Sequence, residues 1–252
     1  MALSADDKRT LEENGYLLVP GLVAPDRARA ALAAINASLG RNGLPPDALP
    51  RMEALTFCPE LVNDAAILDL YRATPLVQLA EAALGAGRVR EPRDAQIALR
   101  FPTPGADRVL PRPHIDGLPR ALNGVAAGTL YHFTALAAVF LSDVGEPFAG
   151  NFTVWPGSHR ALAAHFASND ALGTLAGPGA TFPPVALPEP PRQLIARAGD
   201  ALLAHYLLVH GVSPNLGPQI RYAVFFRLFH DEHDPAAISA LGDLWRSWPG
   251  LR

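Results

Sequence analysis

Cysteine is almost missing from this 252-residue chain: Cys58 stands alone, which excludes an intrachain disulfide, a thiolate zinc site and a CxxC redox pair. Any bound metal must therefore sit on nitrogen and oxygen. Runs of five or six like charges are also missing, and 21 basic against 24 acidic residues leave a formal charge of -3, so neither a nucleic-acid arm nor a polybasic membrane patch is present. No uninterrupted apolar run reaches the ~18 residues of a membrane-spanning helix. The opening MALSADDKRTLEENG lacks a basic stretch followed by an apolar one, and a soluble cytoplasmic protein is expected. What the chain does have is an evenly spread 49% of hydrophobic residues, enough for one large core. A single domain over residues 1–252 is expected, with a small molecule as partner, no nucleic acid or membrane, and a monomeric or weakly dimeric state.

The first third reads as helical. Ser4 is a good N-cap and Gly15 a good C′ residue for a first helix, and Tyr16 to Val19 follows as a short strand. Pro25 suits the first turn of a second helix whose apolar stripe runs Ala28, Ala31, Leu32, Ile35, Leu39 before Gly40 closes it; residues 41–50 are expected as loop. Two further helices are expected between Asn63 and Gly85, the second opened by Thr74 and Pro75. Beyond Arg88 the texture changes to strand-like runs: Gln96 to Phe101, Leu130 to Leu141, Asn151 to Trp155, Gln193 to Ala196, Ala201 to Leu208 and Tyr222 to Phe229. Their length and spacing suit an antiparallel sandwich or barrel rather than βαβ alternation. One helix is expected from Ser158 to Ala167, an extended proline-rich loop over 182–192, and a last amphipathic helix from about Asp234 to Trp248. The fold class is thus mainly β with flanking helices: a helical part at 1–90, a β core at 91–232 and a C-terminal helix at 233–252.

The chemistry concentrates in two places. His114-Ile115-Asp116 sets two metal-competent side chains at i and i+2, which share a face on a strand. His210 lies 94 residues after Asp116 at the end of the apolar run ALLAHYLLVH, and an antiparallel barrel can bring it beside the first pair. Two imidazoles and one carboxylate on one face leave three octahedral positions open, which suits iron(II) that must also take a co-substrate and oxygen. An HxD tripeptide alone is weak evidence, since such residues usually satisfy local hydrogen bonds. Arg221 strengthens it. It comes 11 residues after His210, past a turn rich in Gly, Pro and Asn, and opens a new strand. A permanently charged fork there is suited to the far carboxylate of a dicarboxylate co-substrate, which points to 2-oxoglutarate.

With these residues in view, the chain resembles the phytanoyl-CoA dioxygenase family of iron(II)- and 2-oxoglutarate-dependent oxygenases. The resemblance is carried by NGYLLVPGLVAPDRARAALAAI near the start, by AAVFLSDV with GNFTVWPGSHR in the middle, and by HGVSPNLGPQIRYAVFF. It implies a double-stranded β-helix core, jelly-roll and cupin-like. It also implies iron ligation by His114, Asp116 and His210, and Arg221 against the C5 carboxylate of 2-oxoglutarate. Dioxygen would be the second co-substrate. Asp116 stands where the related halogenases vacate the carboxylate position for chloride, so hydroxylation of a small-molecule C–H bond, with succinate and carbon dioxide released, is favoured over halogenation. Desaturation, cyclisation, epimerisation or endoperoxide formation are alternative outcomes of the same cofactors.

Several further residues are candidates. Gln96, in QIALRF, is placed to meet the co-substrate from inside the barrel. Alternation sets Asn151, Thr153 and Trp155 on one face, expected to be the inner one, with Trp155 lining the co-substrate pocket as the resemblance implies. Ser213 is a second candidate for the carboxylate that Arg221 takes. Arg100 and Arg112 flank the expected mouth and, with His132, are candidates for meeting substrate. His159 is expected to orient the helix after the PGSH turn, and His230 and His233 to lie in a solvated loop. No CoA, carrier-protein or nucleotide signature is visible. Two alternatives from other classes stay open: a non-catalytic binding module with the same pocket, and a zinc hydrolase, since two His and a carboxylate also suit catalytic zinc.

Overall fold

In the computed structural model, which describes residues 2–177 and 182–252, the chain alternates short helices and antiparallel strands. Helix α1 (Ala5–Asn14) starts at a capping box in which Ser4 and Asp7 satisfy each other's backbone N–H groups, and it ends at Gly15 in the left-handed region. Strand β1 (Tyr16–Val19) and helix α2 (Pro25–Asn42) follow. The second helix runs through Gly40 and stops at Gly43, whose N–H bonds Leu39 O. Gly40 lies on the exposed side with open space where a Cβ would be, so its weak helix propensity alone did not end the helix. Residues 41–50 are not all loop, since a short 3₁₀ turn (Pro46–Ala48) leads into α3 (Leu49–Ala54). The two expected helices are α4 (Ala65–Arg72), capped by the Asp64 carboxylate, and α5 (Leu76–Leu84), ending at Gly85.

The remaining elements are β2 (Val89–Arg90), β3 (Gln96–Arg100), β4 (Ala135–Phe140), β5 (Phe152–Val154), α6 (Ser158–Phe166), α7 (Ala171–Ala176), β6 (Arg192–Gln193), β7 (Ala201–His205), β8 (His210–Val212) and β9 (Arg221–His230). Six strands form the larger sheet, ordered β1-β7-β4-β9-β2, with β3 beside the first half of β9; a smaller sheet is ordered β6-β5-β8. All pairings are antiparallel. This is the two-sheet jelly-roll arrangement with helices added outside.

Strand alternation explains the layering. Ala135, Ala137 and Val139 of β4, with Val224, Phe226 and Leu228 of β9, face a core shared with Ile35, Leu70 and Leu79 of the helices. Leu136, Ala138 and Phe140, with Ala223 and Phe225, face inward to a second core between the sheets. A sheet covered on both faces reads as a near-continuous apolar run, which is what ALAAVF is.

Several expected boundaries move. The strand read from Leu130 begins only at Ala135, and that read at 193–196 is Arg192–Gln193 with a single bridge at Ala196. ALLAHYLLVH is not one strand: it turns at Tyr206–Leu207 between β7 and β8. Helix α7 had no sequence expectation. The expected C-terminal helix does not form; the segment instead makes a 3₁₀ turn (Ile238–Gly242), bends and a second 3₁₀ turn (Pro249–Leu251). Carbonyls that a helix would use internally are bonded elsewhere, Pro235 O by His132 Nε2 at 3.0 Å and Leu244 O by His205 Nε2 at 2.9 Å. A Cβ on Gly242 would lie 2.9 Å from the Ala167 backbone, so the glycine lets the segment dock closely against the end of α6. Among the described residues no helix is long and apolar enough to cross a membrane.

Candidate metal centre and its cavity

The edge of the smaller sheet builds the site. His114 pairs with His210 as an isolated bridge, His114 N donating to His210 O at 3.0 Å and His210 N to His114 O at 2.9 Å. That reciprocal pair fixes two residues far apart in sequence side by side. Ile115, buried, anchors the segment, and Gly117 turns it at φ +78. No side chain fits at Gly117, because a Cβ would stand 1.9 Å from Tyr131 O. The Asp116 carbonyl accepts from the Tyr206 hydroxyl at 3.2 Å. On the other side, Ser158 Oγ accepts from Val209 N at 2.9 Å, so the PGSH turn braces the residue next to His210.

One ligating atom each from His114, Asp116 and His210 lies within 4.8 Å of the others. The imidazoles are set for coordination. His210 Nδ1 is 2.9 Å from Leu208 O and His114 Nδ1 3.4 Å from Arg112 O, so each ring donates through Nδ1 and leaves an Nε2 lone pair. Burial and the neighbouring His210 push His114 down to about 4, so it is neutral at neutral pH. For Asp116, burial pushes the carboxyl up, but the Arg227 guanidinium and His210 outweigh it and hold the group ionised, well below the usual carboxylate range. Two imidazoles and one carboxylate on one face, with no thiolate near, fit a divalent first-row metal.

These ligands open on a cavity of about 480 Å³ between the two sheets. Its inner wall is the inward face of β3 and β9, where alternate residues Gln96, Ala98, Arg100 and Arg221, Phe225, Arg227 point the same way. Phe152, from the smaller sheet, stacks against His210 at 5.0 Å between ring centroids. Arg221 is fully buried; its Nε donates to Gly150 O at 2.9 Å and its Nη1 to Ala98 O at 3.1 Å. Its Nη2, also buried, has no partner among the described residues. Burial, then Arg100, pushes its pKa down to about 9, still a cation at neutral pH. A buried donor with nothing to donate to marks the place of an anionic group. Glu53, Pro111, Arg112, Leu118 and Arg120 form the mouth.

The structure thus brings His114, Asp116, His210, Arg221, Gln96, Arg100 and Arg112 to one cavity. Gln96 Oε1 accepts from Arg227 at 3.0 Å, and Arg100 faces Glu53 at 3.5 Å. Four further candidates do not line this cavity. Thr153 and Trp155 sit on the opposite phase of the smaller sheet: it is Phe152 that lines the cavity, while the Thr153 hydroxyl donates to Asn151 O at 3.4 Å and Trp155 N to Val209 O at 3.0 Å. The apolar members of FTV turn inward, to the space between the sheets, while Thr153 is buried on the other face. Ser213 belongs to a buried knot with Asn151, accepting from its N at 2.9 Å and donating to its Oδ1 at 3.2 Å. His132 lines a different, smaller pocket with His205 and His233. Of the two histidines expected in a solvated loop, His233 lies in the exposed turn after β9 with its ring half-buried, and His230 does not lie in it. His230 ends β9 in the interior, and the buried Nε2 of His233 has no partner among the described residues. His159 bonds Glu12 O at 3.2 Å and fills the space left by Gly15.

Arg227, Tyr206 and Ser158 are functional neighbours that the sequence patterns did not single out. For Arg227 a signal existed: it is six residues after Arg221 on one strand, so if one points inward both do.

A family model described as phytanoyl-CoA dioxygenase matches residues 11–223. No curated protein matches the chain. Among solved structures, the carbocyclase SnoK from nogalamycin biosynthesis, described as non-haem and alpha-ketoglutarate dependent, is 20% identical with a TM-score of 0.54, covering 94% of this chain and 90% of its own. HygX from Streptomyces hygroscopicus, solved with nickel, 2-oxoglutarate and hygromycin B, is 19% identical with a TM-score of 0.55, covering 92% and 90%. EctD from S. alaskensis, with 2-oxoglutarate and 5-hydroxyectoine, is 17% identical with a TM-score of 0.56, covering 90% and 76%. At these identities the likeness is one of fold.

Proposed function

The chain belongs to the phytanoyl-CoA dioxygenase family of iron(II)- and 2-oxoglutarate-dependent oxygenases, and we propose that it hydroxylates a C–H bond of a small molecule, a natural-product intermediate, in the cytoplasm. In this reading residues 1–252 act as one oxygenase domain. His114 Nε2, Asp116 and His210 Nε2 hold iron(II), and Arg221 takes the C5 carboxylate of 2-oxoglutarate. The observation that carries the reading is the buried, partnerless Nη2 of Arg221 in the same cavity as the three metal-competent side chains. A site retired from catalysis, or a zinc hydrolase, has no physical need for that cation.

Bound together, iron(II) and 2-oxoglutarate supply an oxidant from dioxygen, with succinate and carbon dioxide as by-products. The chain's own residues do the rest. Arg221 orients the dicarboxylate from the inner end, since its Nε and Nη1 are tied to Gly150 O and Ala98 O and only Nη2 is left to turn toward a ligand. Phe152 and Phe225 make the wall about His210 apolar, which limits water near the reacting carbon. Arg112 and Arg120, at the mouth, meet the substrate's polar end. SnoK is described as a carbocyclase, and cyclisation, desaturation, epimerisation or endoperoxide formation are alternative outcomes, set by where the substrate carbon rests. The expected result is succinate formation that depends on iron(II), 2-oxoglutarate and substrate and disappears in His114→Ala. Turnover that persists in that variant removes the assignment.

A further inference from the structure

Asp116 offers two oxygens, and the structure treats them differently. Oδ1 lies 3.4 Å from His210 Nε2, on the side of the metal-competent atoms. Oδ2 lies 2.9 Å from Arg227 Nη2, which also reaches Gln96 Oε1 at 3.0 Å. Arg227 is opposite Leu136 of β4, and its guanidinium carbon stands 5.7 Å over the Phe133 ring, so the fork is held from below as well as from the side. All its hydrogen bonds among the described residues run through Nη2, and the residue lines the cavity.

We propose that Arg227 is a positioning residue that keeps Asp116 a one-oxygen metal ligand, and that Gln96 holds Arg227 in that role. The inference rests on the triad and 2-oxoglutarate reading above. An octahedral metal with two imidazoles and one carboxylate oxygen has three positions left, two for a chelating 2-oxoglutarate and one for oxygen. If the second carboxylate oxygen also coordinated, one of those positions would be lost and the co-substrate would have to displace it. A charge-assisted bond to a fixed guanidinium occupies that oxygen instead. The arrangement is built across strands: Gln96 on β3 pairs with Phe225 on β9, which places it diagonal to Arg227 on the same face.

The test uses the chain loaded with manganese(II), whose bound waters are counted by electron paramagnetic resonance line broadening in oxygen-17 water, together with anaerobic titration of 2-oxoglutarate. Wild type is expected to carry three exchangeable waters and to lose two of them to 2-oxoglutarate. Arg227→Met is expected to carry two in the absence of co-substrate, and to bind it on the order of tenfold more weakly, the size of one lost charge-assisted hydrogen bond. Arg227→Lys, which keeps a charged donor near Oδ2, is expected to return to three waters. Three waters in Arg227→Met with 2-oxoglutarate affinity within twofold of wild type overturns the proposal and leaves Arg227 as a strand staple. Should Arg227→Met fail to fold, Gln96→Leu decides: loss of the anchor gives an average below three waters, and an unchanged count overturns the proposal. The underlying reading fails separately, if His114→Ala binds manganese(II) as well as wild type does or if 2-oxoglutarate displaces no water from wild type.

Discussion

Replacing Arg221 by Met probes the proposed co-substrate site with a side chain of similar length, no charge and no donors. In the wild type two of the guanidinium nitrogens are already spent on Gly150 O and Ala98 O, at 2.9 and 3.1 Å, and Nη2 is buried with no partner among the described residues. Binding a carboxylate there converts an unsatisfied buried cation into a paired one. Hydrogen bonds to charged groups contribute about 1.5–3 kcal/mol each, so losing the bond that Nη2 alone is free to make costs on the order of ten- to a hundredfold in Kd. The fold should suffer less. The variant strips a donor from two carbonyls, at about 1–3 kcal/mol apiece, but it also removes a buried cation whose desolvation is unfavourable, so these two effects offset each other. The assay is anaerobic calorimetric titration of 2-oxoglutarate into metal-loaded protein, with metal affinity and melting temperature measured alongside. The expected pattern is a large loss of 2-oxoglutarate affinity, metal affinity within a few-fold of wild type, and a modest shift in melting. A variant that binds 2-oxoglutarate within threefold of wild type would refute the reasoning, because the buried donor would then have some other purpose.

Two further outcomes test the frame around the site. Gly117→Ala must place a Cβ 1.9 Å from Tyr131 O at φ +78, whereas Gly124→Ala, at φ +74, meets nothing within 4 Å; the first is expected to lose at least ~2 kcal/mol more than the second in denaturant unfolding. It should also weaken metal binding, since Asp116 is the preceding residue, and equal stability of the two variants would show that the contact is not limiting. His205 is buried, and burial pushes its pKa down to about 4; its Nδ1 accepts from Leu207 N at 3.0 Å while its Nε2 bonds Leu244 O, which needs the neutral ring. The unfolded chain takes up that proton first, so stability is full above about pH 6.5 and falls as the pH drops toward 4, by as much as ~3 kcal/mol from this residue. Melting curves from pH 7.5 to 4.5 should show the fall, with a shallower one in His205→Gln; a flat wild-type profile contradicts the assignment.

What the sequence made legible followed from local rules. Ser4 and Gly15 bound α1 because cap chemistry is a property of the few residues around them. The inner strands were visible because a strand covered on both faces must be apolar along its length. The C-terminal segment was misread for the opposite reason. Its apolar spacing satisfies a helical stripe, yet Pro235 O and Leu244 O are engaged by histidines from 103 and 39 residues away, and no window of sequence contains that competition. The turn at Tyr206–Leu207 carries no glycine or proline to announce it: it is closed by Leu207 N and Leu208 N on His205 Nδ1 and O, and held by the Tyr206 hydroxyl on Asp116 O.

For the site, the division runs between residues identified by type and residues identified by phase. His114, Asp116, His210 and Arg221 are chemically distinctive, and their spacing sufficed to single them out without the face of any strand being known. Thr153 and Trp155 were chosen by phase, as residues of the face expected to turn inward, and Ser213 by its nearness to His210 in sequence; the strand turns Phe152 to the cavity instead, and Ser213 is engaged with Asn151. Phase also hid Arg227. On β9 the register is fixed by its three partners, β4, β3 and β2, and once Arg221 is set inward the period of two carries Phe225 and Arg227 with it. One chemically distinctive residue on a regular strand therefore fixes the orientation of every other residue on it. Because Arg221 lines the cavity, the same alternation obliges Arg227 to turn its charge there too, where the Asp116 carboxylate is the anion that meets it.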